Sequence, residues 1–243
     1  MDMEKLTKLG RKVLPLKRCG AVIVAAGSAS RMGGIDKVMA PLGGTPMVAR
    51  TVAAFQNCDA IAEIVIVTRP DLIRPISVLC AGMDKVRAVV AGGSSRQESV
   101  WLGLNALSEG IQLAAIHDGA RPLVSNLVID RTVRAANSYG AAAPAVPVKD
   151  TIKTVAEDGA VTGTPDRSTL RAVQTPQVFE ADLLKAALQS ALENEVPVTD
   201  DCSAVERLGK VVYLIDGDEE NLKITTPVDL VIAEAILAER EGR

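Results

Sequence analysis

The feature that most constrains this chain is a regular alternation of short apolar runs with segments of helical periodicity. The first run, Ala21–Ala26, is apolar throughout and ends at Gly27. Such a run is typical of a strand that is buried on both faces of a parallel sheet. After Pro46 the apolar residues recur at helical spacing, and the β-branched run Ile64–Val67 then predicts a second buried strand. The chain therefore begins as a β-α-β unit.

The alternation continues along the chain as far as Val146. The predicted elements are a helix from Leu72, a strand at Val86–Val90, a helix at Gln97–Leu107, a strand at Leu113–Ile116, a helix at Leu127–Ala136 and a strand at Ala141–Val146. Parallel strands joined by helices need right-handed crossovers, which place helices on both faces of the sheet. The sequence therefore predicts the α/β class, as a three-layer sandwich.

The alternation stops after Pro147. Strand-like segments at Asp150–Val155 and Leu170–Thr175 flank a turn-rich stretch, which predicts a protruding β-arm inserted over residues 148–175. An isolated hairpin is only marginally stable in water, so we expect the arm to pack on a second subunit.

The rest of the chain completes one predicted domain over residues 20–240. Its predicted elements are helices at Ala181–Leu192, Cys202–Leu208 and Val228–Ala238 and a strand at Val211–Ile215. Residues 1–19 form a basic N-terminal extension, which we expect to be mobile.

Charge and composition argue against several kinds of partner. Because 27 Lys and Arg face 30 Asp and Glu, the net charge of −3 offers no field that would attract nucleic acid. No apolar run approaches the roughly 18–20 residues that span a bilayer, so we expect no membrane partner. The four cysteines are far apart with no Cys-x-x-Cys pair, which predicts buried thiols in a reducing, cytoplasmic compartment. His117 is the single histidine, which excludes a His-rich zinc site.

A loop of small residues follows the first strand and contains Arg31 and Lys37. It lacks both the Gly-Lys-Ser/Thr end of a P-loop and the second glycine of a dinucleotide fingerprint. Its backbone N–H groups and its two cations could hold a polyphosphate. A tight turn with two solvated cations would have the same sequence.

Asp118 lies just beyond the carboxyl end of a predicted buried strand. Ligands bind at this edge of open α/β sheets, and Mg2+ often takes one or two protein carboxylates beside substrate phosphates. Asp118 is therefore a candidate Mg2+ ligand, although a turn or helix-capping aspartate occupies similar positions.

Two further segments carry candidate binding groups. The segment Gly92–Ser99 follows a strand and opens a helix, which suits either a ligand-binding loop or a capping box. Lys223 lies in the strand-like segment Asn221–Thr225, where an inward-facing lysine would need an anion and a lysine on the exposed face would need no partner.

Together these segments resemble the 2-C-methyl-D-erythritol 4-phosphate cytidylyltransferase family. The resemblance covers residues 20–240 and rests on motifs that occur in the order the family has. They are Ala25-Ala26-Gly27 with Arg31 and Lys37, Gly92-Gly93-x-x-Arg96-x-x-Ser99-Val100, His117-Asp118-x-Ala120-Arg121-Pro122, Asp150-Thr151-Ile152-Lys153, Gln174-Thr175-Pro176-Gln177, Thr199-Asp200 and Asn221-x-Lys223-Ile224-Thr225.

The resemblance implies a Rossmann-like nucleotidyltransferase fold and a homodimer with interlocked arms. It also implies transfer of CMP from CTP to 2-C-methyl-D-erythritol 4-phosphate, which yields CDP-methylerythritol and pyrophosphate in non-mevalonate isoprenoid biosynthesis. Two alternatives are a cytidylyltransferase for another polyol phosphate, such as ribitol 5-phosphate, and a non-catalytic nucleotide-binding module.

The resemblance also implies roles for individual residues. The implied catalytic cations are Arg31, Lys37 and Lys223, and the implied Mg2+ ligand is Asp118. The implied cytidine contacts are Ala25, Ala26, Gly27, Gly93, Ser94 and Ser99. The implied contacts to the sugar-alcohol phosphate are Arg121, Thr151, Arg167, Thr175 and Thr199, of which Thr151, Arg167 and Thr175 would reach the acceptor from the neighbouring subunit.

Overall fold

The computed structural model describes residues 15–27 and 37–242. Its strands are β1 (Cys19–Ala25), β2 (Pro41–Leu42), β3 (Thr45–Pro46), β4 (Ile61–Thr68), β5 (Val86–Ala91), β6 (Leu113–Asp118), β7 (Ala141–Pro147), β8 (Thr154–Val155), β9 (Val161–Gly163), β10 (Arg171–Val173), β11 (Gln177–Glu180) and β12 (Tyr213–Asp216). Its α-helices are α1 (Met47–Gln56), α2 (Ile73–Leu79), α3 (Arg96–Asn105), α4 (Asn126–Tyr139), α5 (Ala181–Glu193), α6 (Asp201–Arg207) and α7 (Pro227–Glu241). Short 3-10 turns cover Lys37–Met39, Pro70–Leu72 and Arg167–Thr169.

The main sheet has the strand order β10-β7-β11-β6-β1-β4-β5, and β12 pairs with β7 outside this path. Strands β1, β4, β5 and β6 are mutually parallel. Strand β11 is antiparallel to both β6 and β7, whereas β12 is parallel to β7. The carboxyl ends of β1, β5 and β6 therefore lie at one edge of the sheet.

The side chains of β1 explain why its sequence is apolar without interruption. Ala21, Ile23 and Ala25 belong to one hydrophobic cluster, and Val22 belongs to another that includes residues of α3, α5 and α6. Successive side chains of a strand point to opposite faces, so β1 is covered on both sides. The predicted α/β three-layer sandwich is confirmed.

A third hydrophobic cluster brings the C-terminal part of the chain toward the carboxyl edge of the sheet. In it, Ile224 and Leu237 pack with Leu42, Met47 and Ala120. The segment that carries Lys223 thereby lies beside the turn that follows β6.

The structure differs from the sequence prediction at three places after Pro147. Thr154–Val155 pairs with Val161–Gly163, while Arg171–Val173 pairs with β7 in the main sheet, so the two predicted arm strands do not pair with each other. Strand β11 was not predicted and lies between β6 and β7. Asn221–Thr225 is irregular rather than a strand, because its polar side chains and backbone bond to neighbouring loops.

The last residues of the predicted N-terminal extension are tied to the domain. The backbone N–H of Lys17 donates to Asn137 Oδ1 at 2.9 Å, and its ammonium pairs with Glu180 at 2.5 Å. Cys19 is the first residue of β1. Residues 1–14, the rest of that extension, lie outside the described residues.

Within residues 15–27 and 37–242, no helix has the length and apolar character needed to cross a membrane.

Candidate active site

Three loops meet at the carboxyl edge of the sheet. The backbone N–H of Gly119, just after β6, donates to the carbonyl of Val24 at 2.8 Å. A Cβ at Gly92, just after β5, would lie 2.6 Å from the Cβ of Ala26. Gly92 therefore has to be a glycine for these loops to approach so closely. This edge of the sheet brings together five of the predicted site residues: Ala25, Ala26, Gly27, Gly93 and Asp118.

Asp118 lies at the centre of a cluster of cations. Its Oδ2 atom is 3.0 Å from Lys223 Nζ and 3.4 Å from Arg121 Nε. The side chains of Asp118 and Arg121 are 12% and 11% exposed, whereas that of Lys223 is 44% exposed. The ammonium of Lys223 thus reaches the open side of the cluster, while the carboxylate lies beneath it.

The neighbouring cations keep Asp118 ionised. Burial alone would raise the pKa of this carboxyl, but Lys223, Arg96 and Arg121 together lower its pKa to about 2. At neutral pH Asp118 is therefore a carboxylate that can accept hydrogen bonds or bind a hard cation.

The segment around Lys223 is fixed by bonds to the turn after β6. Arg121 Nη1 donates to the carbonyl of Asn221 at 2.6 Å, and the N–H of Ile224 donates to the carbonyl of Ala120 at 2.9 Å. Asn221 is fully buried, and its Nδ2 donates to the carbonyl of Thr175 at 2.9 Å. These bonds hold Lys223 beside Asp118 although the two residues are far apart in sequence.

Thr175 lies against Asp118 of its own chain. Its Oγ1 accepts a hydrogen bond from the backbone N–H of Asp118 at 3.1 Å, and the residue is 5% exposed. The expectation that Thr175 reaches the site from a neighbouring subunit is therefore wrong, because the β10–β11 junction runs directly beside β6.

The loop after β5 is bonded to the helix that follows it. The N–H and Oγ of Ser94 bond to Glu98 Oε2 at 2.6 and 2.7 Å, and the N–H of Gly93 donates to Ser99 Oγ at 3.1 Å. Ser95 caps α3 by accepting from the N–H of Glu98 at 3.1 Å. The backbone N–H groups of Gly93 and Ser94 are therefore engaged by side chains of their own loop, and the segment is a helix cap that also borders the site.

A second ion pair lies beside this loop and was not singled out from the sequence. Arg96 Nη2 is 2.6 Å from Asp201 Oδ2, and Asp201 is fully buried. Burial raises the pKa of Asp201, and Arg96 opposes that rise. The sequence could have identified Arg96 as a site residue, because Arg96 belongs to the Gly-Gly-x-x-Arg motif.

Gln177 was also missed as a connecting residue. Its Nε2 donates to Asp200 Oδ2 at 2.8 Å, and its Oε1 accepts from the backbone N–H groups of Asp201 and Cys202. Gln177 thereby joins β11 to the start of α6, next to Thr199, whose Oγ1 donates to Ser203 Oγ at 3.4 Å.

The remaining predicted residues lie elsewhere. Thr151 and Arg167 are exposed on the arm, where Arg167 Nη1 donates to the carbonyl of Lys149. Lys37 begins the 3-10 turn that leads toward β2, and Arg31 lies outside the described residues. Over residues 15–27 and 37–242, no three His, Cys, Asp or Glu side chains form a group that could hold a metal by themselves.

Comparisons with known proteins match almost the whole chain. The family model for 2-C-methyl-D-erythritol 4-phosphate cytidylyltransferase matches residues 19–239. A protein of that name from Desulforamulus reducens is 46% identical over 224 residues, which are 90% of this chain and 96% of the relative. Another from Symbiobacterium thermophilum is 46% identical over 219 residues, covering 90% of this chain and 92% of the relative.

A solved structure has the same fold. The crystal structure of 4-diphosphocytidyl-2C-methyl-D-erythritol synthase from Anaerococcus prevotii matches with a TM-score of 0.83 and 32% identity, covering 91% of this chain and 96% of the other.

Proposed function

Because this chain belongs to the 2-C-methyl-D-erythritol 4-phosphate cytidylyltransferase family, we propose that it transfers CMP from CTP to 2-C-methyl-D-erythritol 4-phosphate. A phosphate oxygen of the acceptor forms a bond to the α-phosphorus of CTP. The bond from that phosphorus to the oxygen bridging to the β-phosphate breaks, and pyrophosphate leaves. The observation that carries this proposal is the ionised Asp118 with Lys223 and Arg121, at the edge where three loops of the parallel strands meet.

The cations of the site can offset the electrostatic repulsion that opposes this reaction. Two anions must approach each other, and negative charge grows on the oxygens around the α-phosphorus. Fixed cations stabilise that charge without reorganising during the reaction. We assign this role to Lys223, whose exposed ammonium can contact the triphosphate, and to Lys37 and Arg31. Arg121 holds the Lys223 segment through the Asn221 carbonyl.

Mg2+ is the metal that this site fits. Asp118 supplies an ionised carboxylate oxygen, and Mg2+ usually keeps several waters and binds one or two carboxylates together with substrate phosphates. Arg121 and Lys223 contact only Oδ2 of Asp118 in the bonds that the structure shows, and the Asp118 carboxylate would hold the metal. When bound, Mg2+ would neutralise phosphate charge and orient the triphosphate.

The loop after β5 suits a neutral ring rather than a phosphate. The N–H groups of Gly93 and Ser94 are already bonded within the loop, and the Glu98 carboxylate lies beside them. A second anion would be repelled there. We assign the cytosine base to this loop, beside the close approach of Gly92 to Ala26.

We infer that the acceptor side of the site is completed by a second copy of the chain. Ile152, Val155 and Val161 on the arm are 40%, 61% and 60% exposed, and Val155 and Val161 are paired across β8 and β9. Exposed apolar side chains that lie together are typical of a surface that a partner covers. In such a dimer Arg167 of one copy would bind the acceptor phosphate in the site of the other.

Mixing two inactive variants tests this arrangement. Arg167→Ala and Lys223→Ala are each expected to lose activity, and a mixed dimer contains one site with neither substitution if Arg167 acts across the interface. Co-expressed variants should then regain activity that neither has alone. Mixed dimers that stay inactive would show that Arg167 acts in its own chain, and sedimentation at the mass of one chain would exclude the dimer.

The activity itself is tested by incubating the protein with CTP, Mg2+ and 2-C-methyl-D-erythritol 4-phosphate and measuring pyrophosphate. Ribitol 5-phosphate in place of the acceptor, and UTP, ATP or GTP in place of CTP, provide the comparison. We expect the methylerythritol phosphate and CTP to be preferred. Faster release with ribitol 5-phosphate would identify a different acceptor, and CTP binding with no turnover would identify a binding module.

We also place the enzyme in the cytoplasm. The support is that Cys19, Cys58, Cys80 and Cys202 are all free thiols in buried positions, as is usual in a reducing compartment. Cell fractionation with an antibody against the chain tests this location, and recovery in an oxidising compartment would contradict it.

A further inference from the structure

The single histidine of the chain lies fully buried beside the candidate active site. His117 precedes Asp118 at the end of β6, and its ring packs against Phe55 with centroids 4.8 Å apart. Both ring nitrogens have partners: Nδ1 is 3.0 Å from Thr175 Oγ1, and Nε2 is 3.2 Å from the carbonyl oxygen of Arg121. Neither nitrogen is therefore available to a substrate.

The hydrogen-bond partners select one protonation form of the ring. The Arg121 carbonyl can only accept, so Nε2 must carry a proton. Thr175 Oγ1 already accepts from the backbone N–H of Asp118, and its own proton needs an acceptor. A neutral ring offers its bare Nδ1 for that proton, whereas a charged ring would not. The neutral Nε2–H form thus gives a partner to both ring nitrogens, to the Thr175 hydroxyl and to the Arg121 carbonyl.

These bonds act on both ends of the short turn that builds the site. At one end the ring holds the Thr175 hydroxyl so that its oxygen faces the N–H of Asp118. At the other end it holds the carbonyl of Arg121. Asp118 and Arg121 are the two ends of this turn, and Arg121 Nε lies 3.4 Å from Asp118 Oδ2, the oxygen that Lys223 also contacts.

We propose that His117 is a positioning residue that clamps the Asp118–Arg121 turn through its Nε2–H form. It holds the carboxylate where Lys223 and the triphosphate meet, and it exchanges no proton with substrate. This inference rests on the proposed function for its effect on turnover, but the bonding pattern of the ring is independent of that function. A His117 that merely fills space beside Phe55 would need neither bond.

Two substitutions each keep one half of the clamp. The amide oxygen in His117→Asn lies at the place of Nδ1 and can still accept from Thr175. The amide nitrogen in His117→Gln lies at the place of Nε2 and can still donate to the Arg121 carbonyl. We expect each variant to lower kcat by about 10–100-fold, the usual effect of removing a residue that orients a ligand-binding group. The KM for CTP should change much less.

A control separates positioning from loss of stability. Val133→Ala removes fully buried side-chain atoms of α4 in the same hydrophobic cluster as Phe55. It should lower the Tm to a similar extent and leave kcat unchanged. If the kcat of both His117 variants equals that of wild type, or if Val133→Ala loses the same activity at the same Tm, the clamp is refuted.

The ring can also be observed directly, because there is only one histidine. In 15N-histidine-labelled protein at neutral pH, long-range 1H–15N correlations distinguish the two neutral forms and the charged ring. We expect the Nε2–H form, and a Thr175→Val variant should shift the Nδ1 resonance. An Nδ1–H or charged ring would overturn the proposal. If wild type forms no CDP-methylerythritol, the proposed function fails, while this spectrum still decides whether the clamp exists.

Discussion

Replacing Lys223 by alanine tests the central electrostatic argument. Its Nζ is 3.0 Å from Asp118 Oδ2, on the open side of the cluster. A unit charge about 4 Å from a phosphate oxygen contributes about 4 kcal/mol at an effective dielectric constant of about 20. Because the side chain is 44% exposed and Asp118 offsets part of its charge, we reduce this to about 3 kcal/mol, or roughly a 10²-fold loss of kcat.

The same substitution should lower stability less than removal of Arg96 does. Asp118 is buried, but Arg121 still pairs with its carboxylate in Lys223→Ala. The pKa of Asp118 should rise from about 2, because Lys223 is the strongest of the neighbours that lower it.

The assay is steady-state pyrophosphate release with each substrate varied in turn, with Lys210→Ala as the matched control. Lys210 is exposed and carries the same formal charge outside the cluster. We expect Lys210→Ala to behave as wild type. A Lys223→Ala enzyme with the kcat of wild type would refute the assignment, as would an equal loss in Lys210→Ala, which would indicate an effect of net charge alone.

Four further results are expected. Lys37→Ala should lower kcat far more than it raises KM for CTP, since a cation matters most where transition-state charge peaks; an unchanged kcat in the same assay would contradict this. Asp118→Asn should abolish Mg2+-dependent turnover, and an unaltered Mg2+ titration of activity would remove Asp118 from the metal site. Arg96→Ala leaves the buried carboxylate of Asp201 without its partner, so urea denaturation should show a loss of about 3 kcal/mol, and a stability equal to wild type would contradict it. The pKa of His117 is about 4 in the fold and about 6.5 when unfolded, so the unfolded chain binds the proton first, and metal-free protein should lose up to about 3 kcal/mol as pH falls from 6.5 to 4; a pH-independent difference between wild type and His117→Gln would refute this.

Much of the sheet could be predicted from local patterns. The runs Ala21–Ala25 in β1, Ile64–Val67 in β4 and Leu113–Ile116 in β6 are apolar because both faces of each strand are covered, and a run of this kind is visible in any short window of sequence. The helices between them were predicted for the same reason, since one buried face imposes a helical period.

Strand β11 could not be predicted in this way. Gln177–Glu180 is short, begins and ends in polar residues, and leads without a break into α5. It is a strand because β6 and β7 supply backbone partners on both sides of it. Those partners are distant in sequence, so the local pattern of residues cannot predict them.

The residues of the candidate site could also be predicted from the sequence, whereas their arrangement could not. Asp118 and Lys223 could both be selected from the sequence, one by its place after a buried strand and the other by its motif. That they meet at 3.0 Å, and that Thr175 lies beside them in the same chain, depends on the bonds of Arg121 and Asn221 and on the packing of Ile224.

The sequence by itself determined the class of fold, the family and the residue types that can do phosphoryl chemistry, because burial of a face and the spacing of a motif are local properties. Only the tertiary structure decided which of those residues share a carboxylate, which hydrogen bonds hold them and which form the single histidine takes. Those outcomes depend on distances between segments that are far apart along the chain, and such distances are fixed only when the sheet and its helices pack together.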